Sequence, residues 1–442
     1  MNENAHADTL RERARAARSL AEHGDMLGAE RAFADLLRDA PDDLDALNFL
    51  AICAHGRQRP DEAFRLLEHA RAVHPRDAAT LTNLGVLYLE QRRLDEACDA
   101  LRASLDSAPD SHITRLRLAE AVEAGGRPGD ALPIYFGAIV TAQNRGQWIS
   151  DETTPPGLRS SVLRAVRYVA EGRRRLFGAL LTPLRERFGG AALARVERCV
   201  AAFLGELQVA YPQAQQRPKF LYFPDLPSER FLARDLFPWY ADFEANASAI
   251  RDEMLHVLGE DRGFEPFLGH VADQTQLQDY LRGDRGTPAW NAFFFYRHGV
   301  RNDENAQRCP RTAALLDAAP LCRIRGHAPE ACFSVLTPGS HLLPHHGVTN
   351  TRVVTHVPLV VPEDCALVVG GEVRAWREGE CFSFDDTFLH EAWNRSAHTR
   401  VVMLMDAWNP HLTEVERIAV TELIGTIGDF NREAQLPGAA VH

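Results

Sequence analysis

The chain has 442 residues, of which 45% are hydrophobic and 25% are charged, as expected for a folded protein with more than one domain. The formal net charge of -12 argues against a general nucleic-acid-binding protein, which needs a basic surface to contact phosphates. Residues 1–20 lack the apolar stretch of a secretory signal, and no apolar run approaches the roughly 20 residues of a membrane span. We therefore expect a cytoplasmic protein that binds neither nucleic acid nor membrane.

The first third of the sequence repeats with a period of 34 residues. Small residues and prolines recur at this interval, at Ala29, Ala63, Ala97 and Ala131 and at Pro41, Pro75 and Pro109. A period of 34 is typical of tetratricopeptide repeats, whose units are pairs of helices. Small residues let the helices approach closely, and proline ends a helix because it lacks a backbone N–H. We predict about four repeats in residues 10–145.

Each predicted repeat would leave an apolar face that only a neighbouring repeat can cover, so the repeats should stack into an all-α solenoid. The concave side of such a solenoid would suit a peptide or protein partner. Alternatively, the repeats support the next domain or a dimer, and the sequence leaves the oligomeric state open.

Residues 146–214 are predicted to form a helical connector, because long amphipathic runs with few helix breakers follow the repeats. Four prolines at positions 212, 218, 224 and 227 then indicate a domain boundary near residue 215. Beyond it, short apolar segments alternate with Gly, Pro and Asn turns, as in a β-sandwich or jelly roll. We predict a jelly-roll domain in residues 215–425 and a C-terminal tail in residues 426–442.

Two histidine-rich segments carry the candidate chemistry, residues 338–347 (PGSHLLPHHG) and residues 384–393 (FDDTFLHEAW). Non-haem Fe(II) oxygenases hold iron with two histidines and usually one carboxylate, which follows the first histidine as His-x-Asp/Glu. With His345 as the first ligand, that carboxylate position falls on Gly347. The residues alone thus indicate an incomplete metal site, and a single His near a turn is more often a surface or core residue.

Arg400 follows His390 by ten residues and begins an apolar strand. A buried Arg is costly unless it meets an anion, and its planar fork suits a carboxylate. The anion could be a dicarboxylate cosubstrate or a structural side chain such as Asp406.

Several spaced motifs resemble the catalytic core of the aspartyl/asparaginyl β-hydroxylases. They are F-S-x-x-x-P-G-x-H-x-x-P-H-x-G-x-T-N-x-R-x-x-x-H in residues 333–356, F-D-D-x-F-x-H-E-x-W in residues 384–393 and D-x-W-x-P in residues 406–410. The likeness covers about residues 220–425. It implies a multi-domain α+β protein, in which a tetratricopeptide solenoid precedes a double-stranded β-helix (jelly-roll) catalytic domain.

This resemblance implies a dioxygenase that uses Fe(II) and 2-oxoglutarate. Its members bind iron through two histidines and water, so Gly347 fits the family, and His345 and His390 would be the iron ligands. It also implies a 2-oxoglutarate site and a residue for a substrate carboxylate. The residues concerned are Ser334, His356, Arg400 and Trp290 for the cosubstrate and Arg352 for the substrate.

The expected reaction is hydroxylation of the β-carbon of an Asp or Asn residue in a peptide or protein, although the family also includes hydroxylases of lipids. One position departs from the family: Val354 stands where an Arg is expected two residues before His356. Either the oxo-acid end of the cosubstrate relies on His356 and the metal, or another residue such as Arg374 supplies the missing charge. Open alternatives are a halogenase on the same iron, a jelly-roll site for another metal such as Zn or Ni, and a scaffold protein whose β-domain is catalytically impaired.

Overall fold

The computed structural model describes residues 2–260, 262–269, 280–283 and 288–435, with only the backbone described for residues 2–7. These residues form two compact units, one of residues 2–173 with 430–435 and the other of residues 174–429. None of the helices in the described part is both long and apolar enough to cross a membrane.

The first unit is built from helix pairs. The described helices of this region are α1 (Asn2–Glu22), α2 (Met26–Asp39), α3 (Leu44–Gly56), α4 (Pro60–Val73), α5 (Ala78–Glu90), α6 (Leu94–Ser107), α7 (His112–Ala124) and α8 (Pro128–Asn144). Side chains of Asp43, Asp77 and Ser111, again 34 residues apart, accept hydrogen bonds from backbone N–H groups at the starts of α3, α5 and α7. The 34-residue period therefore also sets where helices begin.

Small residues of the repeat lie between the helices, as the sequence predicts. The four alanines of the series at positions 29, 63, 97 and 131 are fully buried. At Gly85, an added β-carbon would lie 2.5 Å from Cγ of Leu101, so a larger residue would force the Leu101 side chain to shift. The predicted helical repeats are confirmed.

The other α-helices of the described residues are α9 (Arg159–Phe188), α10 (Gly190–Phe203), α11 (Tyr240–Ala245), α12 (Ala247–Glu260), α13 (Asp303–Arg308), α14 (Pro310–Ala318) and α15 (Glu414–Glu433). The division between the two compact units falls within α9 and again near the end of α15. The domain boundaries predicted from the sequence, including those of the connector, stay predictions, and part of the predicted tail lies outside the described residues.

Antiparallel strands form the centre of the second unit. They are β1 (Glu265–Pro266), β2 (Leu281–Gly283), β3 (Trp290–Arg297), β4 (Val300–Arg301), β5 (Ala331–Leu336), β6 (Ser340–His345), β7 (Arg352–Val360), β8 (Cys365–Val369), β9 (Glu372–Arg374), β10 (Phe382–Phe384), β11 (His390–Asn394) and β12 (Arg400–Trp408). In the described residues, one sheet has the order β1-β3-β5-β12-β7-β10, with β4 beside β3, and the other has the order β2-β6-β11-β8-β9.

The two faces of the larger sheet pack against different partners, because successive side chains of a strand point to opposite sides. Phe333 and Met403 face a core that includes Tyr240 of α11 and Met254 of α12. The other face shares a core with the smaller sheet, where Leu404 joins Leu342 and others. The predicted α+β class is confirmed, and the two packed sheets are compatible with a double-stranded β-helix.

Candidate active site

A cavity of about 360 Å³ is lined by residues of both sheets. Its lining includes all seven residues that the sequence predicted for the site, namely Trp290, Ser334, His345, Arg352, His356, His390 and Arg400. The larger sheet supplies Trp290, Ser334, Arg352, His356 and Arg400, and the smaller sheet supplies both candidate iron ligands. The roles of these residues stay predictions.

His345 and His390 lie side by side on neighbouring strands. They are register partners at the end of the β6–β11 pair, and their ring centroids are 4.1 Å apart. The planes of the two rings are inclined by 53°, so the rings are not stacked on each other. The pairing of β6 with β11 therefore brings together two residues that are 45 positions apart in the sequence.

Backbone carbonyl groups determine which nitrogen of each ring carries the proton. Nδ1 of His345 lies 2.7 Å from the carbonyl oxygen of Leu343, and Nδ1 of His390 lies 3.0 Å from that of Phe388. Only a protonated Nδ1 can donate to a carbonyl, so Nε2 of each neutral ring keeps its lone pair. Burial lowers the pKa of His345 to about 3 and that of His390 to about 4, which keeps both rings neutral at physiological pH.

Two neutral imidazoles with available Nε2 atoms suit a divalent transition metal. Within the described residues, no three His, Cys, Asp or Glu side chains form a metal-binding group. Asp386 also lines the cavity, and its buried Oδ1 has no hydrogen-bond partner there. The donor set thus fits a two-histidine site that leaves further positions for water and a chelating cosubstrate.

Arg400 is a buried cation that forms no ion pair with an acidic side chain in the described residues. Its side chain is 2% exposed, its guanidinium carbon lies 5.0 Å from the ring centroid of Trp376, and Nε has no hydrogen-bond partner in the described part of the chain. No described Asp or Glu forms an ion pair with it, and burial lowers its pKa to about 10. An unpaired buried guanidinium is costly, so this position favours an anionic ligand.

Two hydrogen-bonded pairs of side chains line the same cavity as Arg400. Trp290 Nε1 donates to Ser334 Oγ at 2.9 Å, which leaves the Ser334 O–H for donation to another acceptor. Trp376 Nε1 donates to His356 Nδ1 at 3.1 Å, so the proton of the neutral His356 ring is on Nε2. Burial, aided by Arg400, lowers the pKa of His356 well below its usual value. Ser334 and His356 can thus both donate to a carboxylate.

Arg352 is already paired with carboxylates. Its guanidinium donates to Asp406 Oδ1, and Asp386 Oδ2 lies 4.0 Å away. Asp406 was an alternative partner for Arg400, but the structure pairs it with Arg352. Since the Arg352 side chain is still 14% exposed and lines the cavity, the predicted contact with a substrate carboxylate stays a prediction.

Val354 lines the cavity, as expected from its position between Arg352 and His356 on one face of β7. Arg374 is not among the described lining residues; its guanidinium lies over the rings of Phe231 and Phe382 instead. Within the described residues, Arg374 is therefore not placed to supply the missing charge.

Other lining residues were not found from the sequence. Trp376 lies in the segment between β9 and β10, Phe267 stacks on Trp290 at a centroid distance of 3.8 Å, and Lys219 Nζ lies 3.2 Å from Tyr280 Oη. Isolated aromatic and basic residues outside any motif carry no sequence signal for a site. Only the fold brings them to the histidines.

Comparisons with known proteins agree with this organisation. Residues 244–410 match the aspartyl/asparaginyl β-hydroxylase family, and residues 42–110 and 82–146 match tetratricopeptide repeat families. Tetratricopeptide repeats suggest interaction with another protein.

Named relatives share the C-terminal part of the chain. Aspartate β-hydroxylase domain-containing protein 2 of Mus musculus is 34% identical over 209 residues, which are 46% of this chain and 58% of that protein. Aspartyl/asparaginyl β-hydroxylase of Homo sapiens is 34% identical over 178 residues, or 39% of this chain and 21% of that protein. The chain thus covers less than two thirds of the length of either relative.

A longer match extends towards the repeats. Aspartate β-hydroxylase domain-containing protein 1 of Mus musculus is 30% identical over 285 residues, which are 62% of this chain and 72% of that protein. Together with the match of residues 244–410, this similarity shows that the chain belongs to the aspartyl/asparaginyl β-hydroxylase family.

Proposed function

We propose that this chain is an Fe(II)- and 2-oxoglutarate-dependent dioxygenase that hydroxylates the β-carbon of an Asp or Asn residue in a peptide or protein. The observation that carries the proposal is the meeting of the His345 and His390 rings, 4.1 Å apart, in one cavity with the unpaired guanidinium of Arg400. A metal site and an anion site side by side suit a cosubstrate that has both a chelating end and a distal carboxylate.

His345 and His390 would hold the iron through Nε2. The carbonyl groups of Leu343 and Phe388 fix both rings in the tautomer that can bind a metal, so no proton has to leave before the metal binds. With iron and 2-oxoglutarate bound, dioxygen would be the oxidant: one of its oxygen atoms would enter the C–H bond of the substrate and the other the succinate formed, with CO₂, from 2-oxoglutarate. The protein would supply orientation.

Arg400, Ser334 and His356 would hold 2-oxoglutarate. The guanidinium of Arg400 provides the charge, and the Ser334 hydroxyl and His356 Nε2–H provide neutral donors. Because Trp290 and Trp376 fix Ser334 and His356 through hydrogen bonds, the donors are oriented before the ligand arrives. Such preorganisation lowers the ordering cost of binding.

Aromatic and aliphatic walls would keep water from the reacting groups. Phe267 and Trp290 stack nearly in parallel at one side of the cavity, and Val354, Leu342 and other apolar residues line it further. Excluding water strengthens every electrostatic contact inside the site and limits side reactions.

A polypeptide substrate is supported by the family and by the repeats, which suit a peptide or protein partner. We further propose that the protein acts in the cytoplasm. The cited relatives are named for aspartyl or asparaginyl hydroxylation, and this chain would share that chemistry through the same motifs.

Succinate formation tests the proposal. The purified protein is incubated with Fe(II), ascorbate and 2-oxoglutarate, with and without a library of peptides that contain Asp or Asn. We expect succinate in both cases, more with an accepted peptide, and a gain of one oxygen atom in that peptide by mass spectrometry. No succinate under any of these conditions would contradict the proposal, and a chlorinated product in chloride buffer would indicate a halogenase instead.

A further inference from the structure

The proline-rich segment that the sequence marks as a domain boundary contacts the loop after His345 and the loop before His390. We call residues 213–223 the strap, residues 345–349 the first loop and residues 385–389 the second loop. The strap lies outside every motif by which the family was identified, so none of the site roles predicted from the sequence falls on it.

The strap runs alongside the first loop. Backbone N–H groups of Lys219 and Phe220 donate to the carbonyl groups of Gly347 and Val348, at 3.0 and 2.9 Å. Leu221 forms a parallel bridge with Thr349. These contacts begin two residues after His345 and fix the backbone by which the chain leaves that histidine.

The same strap also pairs with the second loop. Arg217 N–H donates to the Thr387 carbonyl and Leu389 N–H donates to the Gln215 carbonyl, both at 2.8 Å. Gln216 forms an antiparallel bridge with Phe388. One short segment therefore bonds to the backbone next to both candidate iron ligands.

Gln216 is the one strap residue whose side chain is buried against the second loop. It is 1% exposed, and its Nε2 donates to Asp385 Oδ2 at 2.8 Å and lies 3.2 Å from Thr387 Oγ1. Its Oε1 accepts a hydrogen bond from Ser228 Oγ at 2.8 Å. Both ends of the amide are therefore engaged, which fixes its orientation.

Asp385 links the Gln216 side chain to the turn before His390. Its Oδ1 accepts bonds from Thr387 N–H at 2.9 Å and from Thr387 Oγ1 at 2.5 Å. The next carbonyl, that of Phe388, accepts the bond from Nδ1 of His390. Hydrogen bonds and the backbone of the turn together thus connect the Gln216 amide, through Asp385, to the imidazole.

We propose that Gln216 is a positioning residue that holds the turn before His390, and so sets the orientation of that imidazole towards His345. This inference rests on the function proposed above. Outer residues that orient metal-binding histidines typically change metal affinity by about 10–100-fold when they are replaced. A residue that only supports the fold would lower stability and leave the affinity of the folded protein for metal unchanged.

The test measures Co(II) binding, because Co(II) reports ligand geometry through its visible absorption. The full-length protein is compared as wild type, Gln216→Ala and Gln213→Ala. Gln213 is a matched control, since it lies on the same strap but its Nε2 donates to the Ser228 carbonyl, at 2.8 Å, and not to the second loop. Thermal unfolding of the metal-free proteins is measured in parallel.

We expect Gln216→Ala to weaken Co(II) binding by about 10–100-fold and to change its visible spectrum, while Gln213→Ala binds as wild type. Ser228→Ala removes only the hydrogen bond to Gln216 Oε1. We expect it to weaken Co(II) binding as well, but by less than Gln216→Ala. It serves as the second variant if Gln216→Ala does not fold.

Equal Co(II) affinity and spectrum in wild type, Gln216→Ala and Ser228→Ala would overturn this inference and leave the proposed function standing. A lower unfolding temperature of the variants with unchanged Co(II) binding would also overturn it, since the role would be structural. Failure of the wild-type protein to bind Co(II) or Fe(II) would overturn the proposed function and this inference together.

Discussion

The carboxylate of Asp386 occupies the space in which a side chain at Gly347 would begin. A β-carbon added at Gly347 would lie 2.1 Å from both Cγ and Oδ2 of Asp386. The backbone N–H of Gly347 also donates to the Asp386 carbonyl at 2.6 Å. An acidic residue at position 347, as in the His-x-Asp/Glu pattern, would therefore require the Asp386 carboxylate to move.

We expect Gly347→Ala to lower the free energy of unfolding by roughly 1–3 kcal/mol, because the new methyl group must displace the Asp386 carboxylate. Metal affinity should also fall, since Asp386 lies four residues before His390. Gly425→Ala is a suitable control, because an added β-carbon there meets no other atom within 4 Å outside its own helix. Denaturant titration of wild type and both variants measures the effect. If Gly347→Ala were as stable as wild type, Asp386 would move aside at no cost, and the prediction would be wrong.

Much of the fold could be predicted from the sequence, because it depends on local patterns. The 34-residue period places the caps Asp43, Asp77 and Ser111 and the buried alanines at equivalent positions of each helix pair. Short apolar segments between Gly, Pro and Asn turns likewise predict a second domain built from β-strands. The pairing order of the strands depends on contacts distant in sequence, and no local pattern encodes it.

Site residues that lie in sequence motifs could be predicted. Contacts that depend on tertiary packing could not. His345 and His390 lie in motifs, and Arg400 stands out because it begins an apolar strand ten residues after His390. The partner of Asp406 did not follow from the sequence, because Arg352 and Arg400 are equally plausible partners until the register of β7 and β12 is known. The contact of Gln216 with Asp385 joins positions 169 residues apart, and no spacing signals it.

Replacing Arg400 should change the stability of the protein and its affinity for the cosubstrate in opposite directions. We expect Arg400→Met to raise the free energy of unfolding of the ligand-free protein by about 1–3 kcal/mol, because a buried unpaired cation is removed. The same change should weaken 2-oxoglutarate binding by at least about 30-fold, through loss of a charge-assisted contact. Thermal unfolding and calorimetric titration of the metal-loaded protein with 2-oxoglutarate measure the two effects.

Arg395→Met is the control for this experiment, because Arg395 is exposed and its guanidinium lies over the Trp393 ring, 4.5 Å from its centroid. Arg395→Met should change neither the free energy of unfolding nor the affinity for 2-oxoglutarate appreciably. Unchanged 2-oxoglutarate affinity in Arg400→Met would show that the cosubstrate binds elsewhere.

Replacing Arg352 should destabilise the protein, in contrast to Arg400. Arg352→Met would leave Asp406 buried without its cation, which costs about 3–5 kcal/mol for a broken buried pair. Burial already raises the pKa of Asp406 to about 6, even with Arg352 beside it. The double variant Arg352→Met/Asp406→Leu should regain part of the loss in denaturant titrations. A stable Arg352→Met protein with only a higher KM for substrate would instead assign Arg352 to substrate binding.

The pH dependence of stability should reveal the buried neutral ring of His356. Its pKa is well below the usual value in the folded protein, whereas the unfolded chain takes up a proton near pH 6.5. Its contribution to stability is therefore present above pH 6.5 and is lost as the pH falls. Between pH 7 and 5.5, metal-free wild type should lose about 1 kcal/mol more than His356→Gln, which keeps an acceptor for Trp376.

Denaturant titrations of the two proteins at several pH values measure this difference. Parallel pH profiles of wild type and His356→Gln would mean that His356 is protonated equally in the folded and unfolded chains, and would contradict the assignment of a neutral ring.

Equilibrium dialysis of the anaerobically purified protein against Fe(II) tests the central claim most directly. We expect one Fe(II) per chain in wild type and in the control His341→Ala, whose ring contacts Glu391 and does not line the described part of the cavity. His345→Ala and His390→Ala should each weaken binding by more than about 100-fold, since each removes one of two protein ligands. Stoichiometric, unweakened iron binding in either variant, or none in wild type, would contradict a metal site built from these two imidazoles.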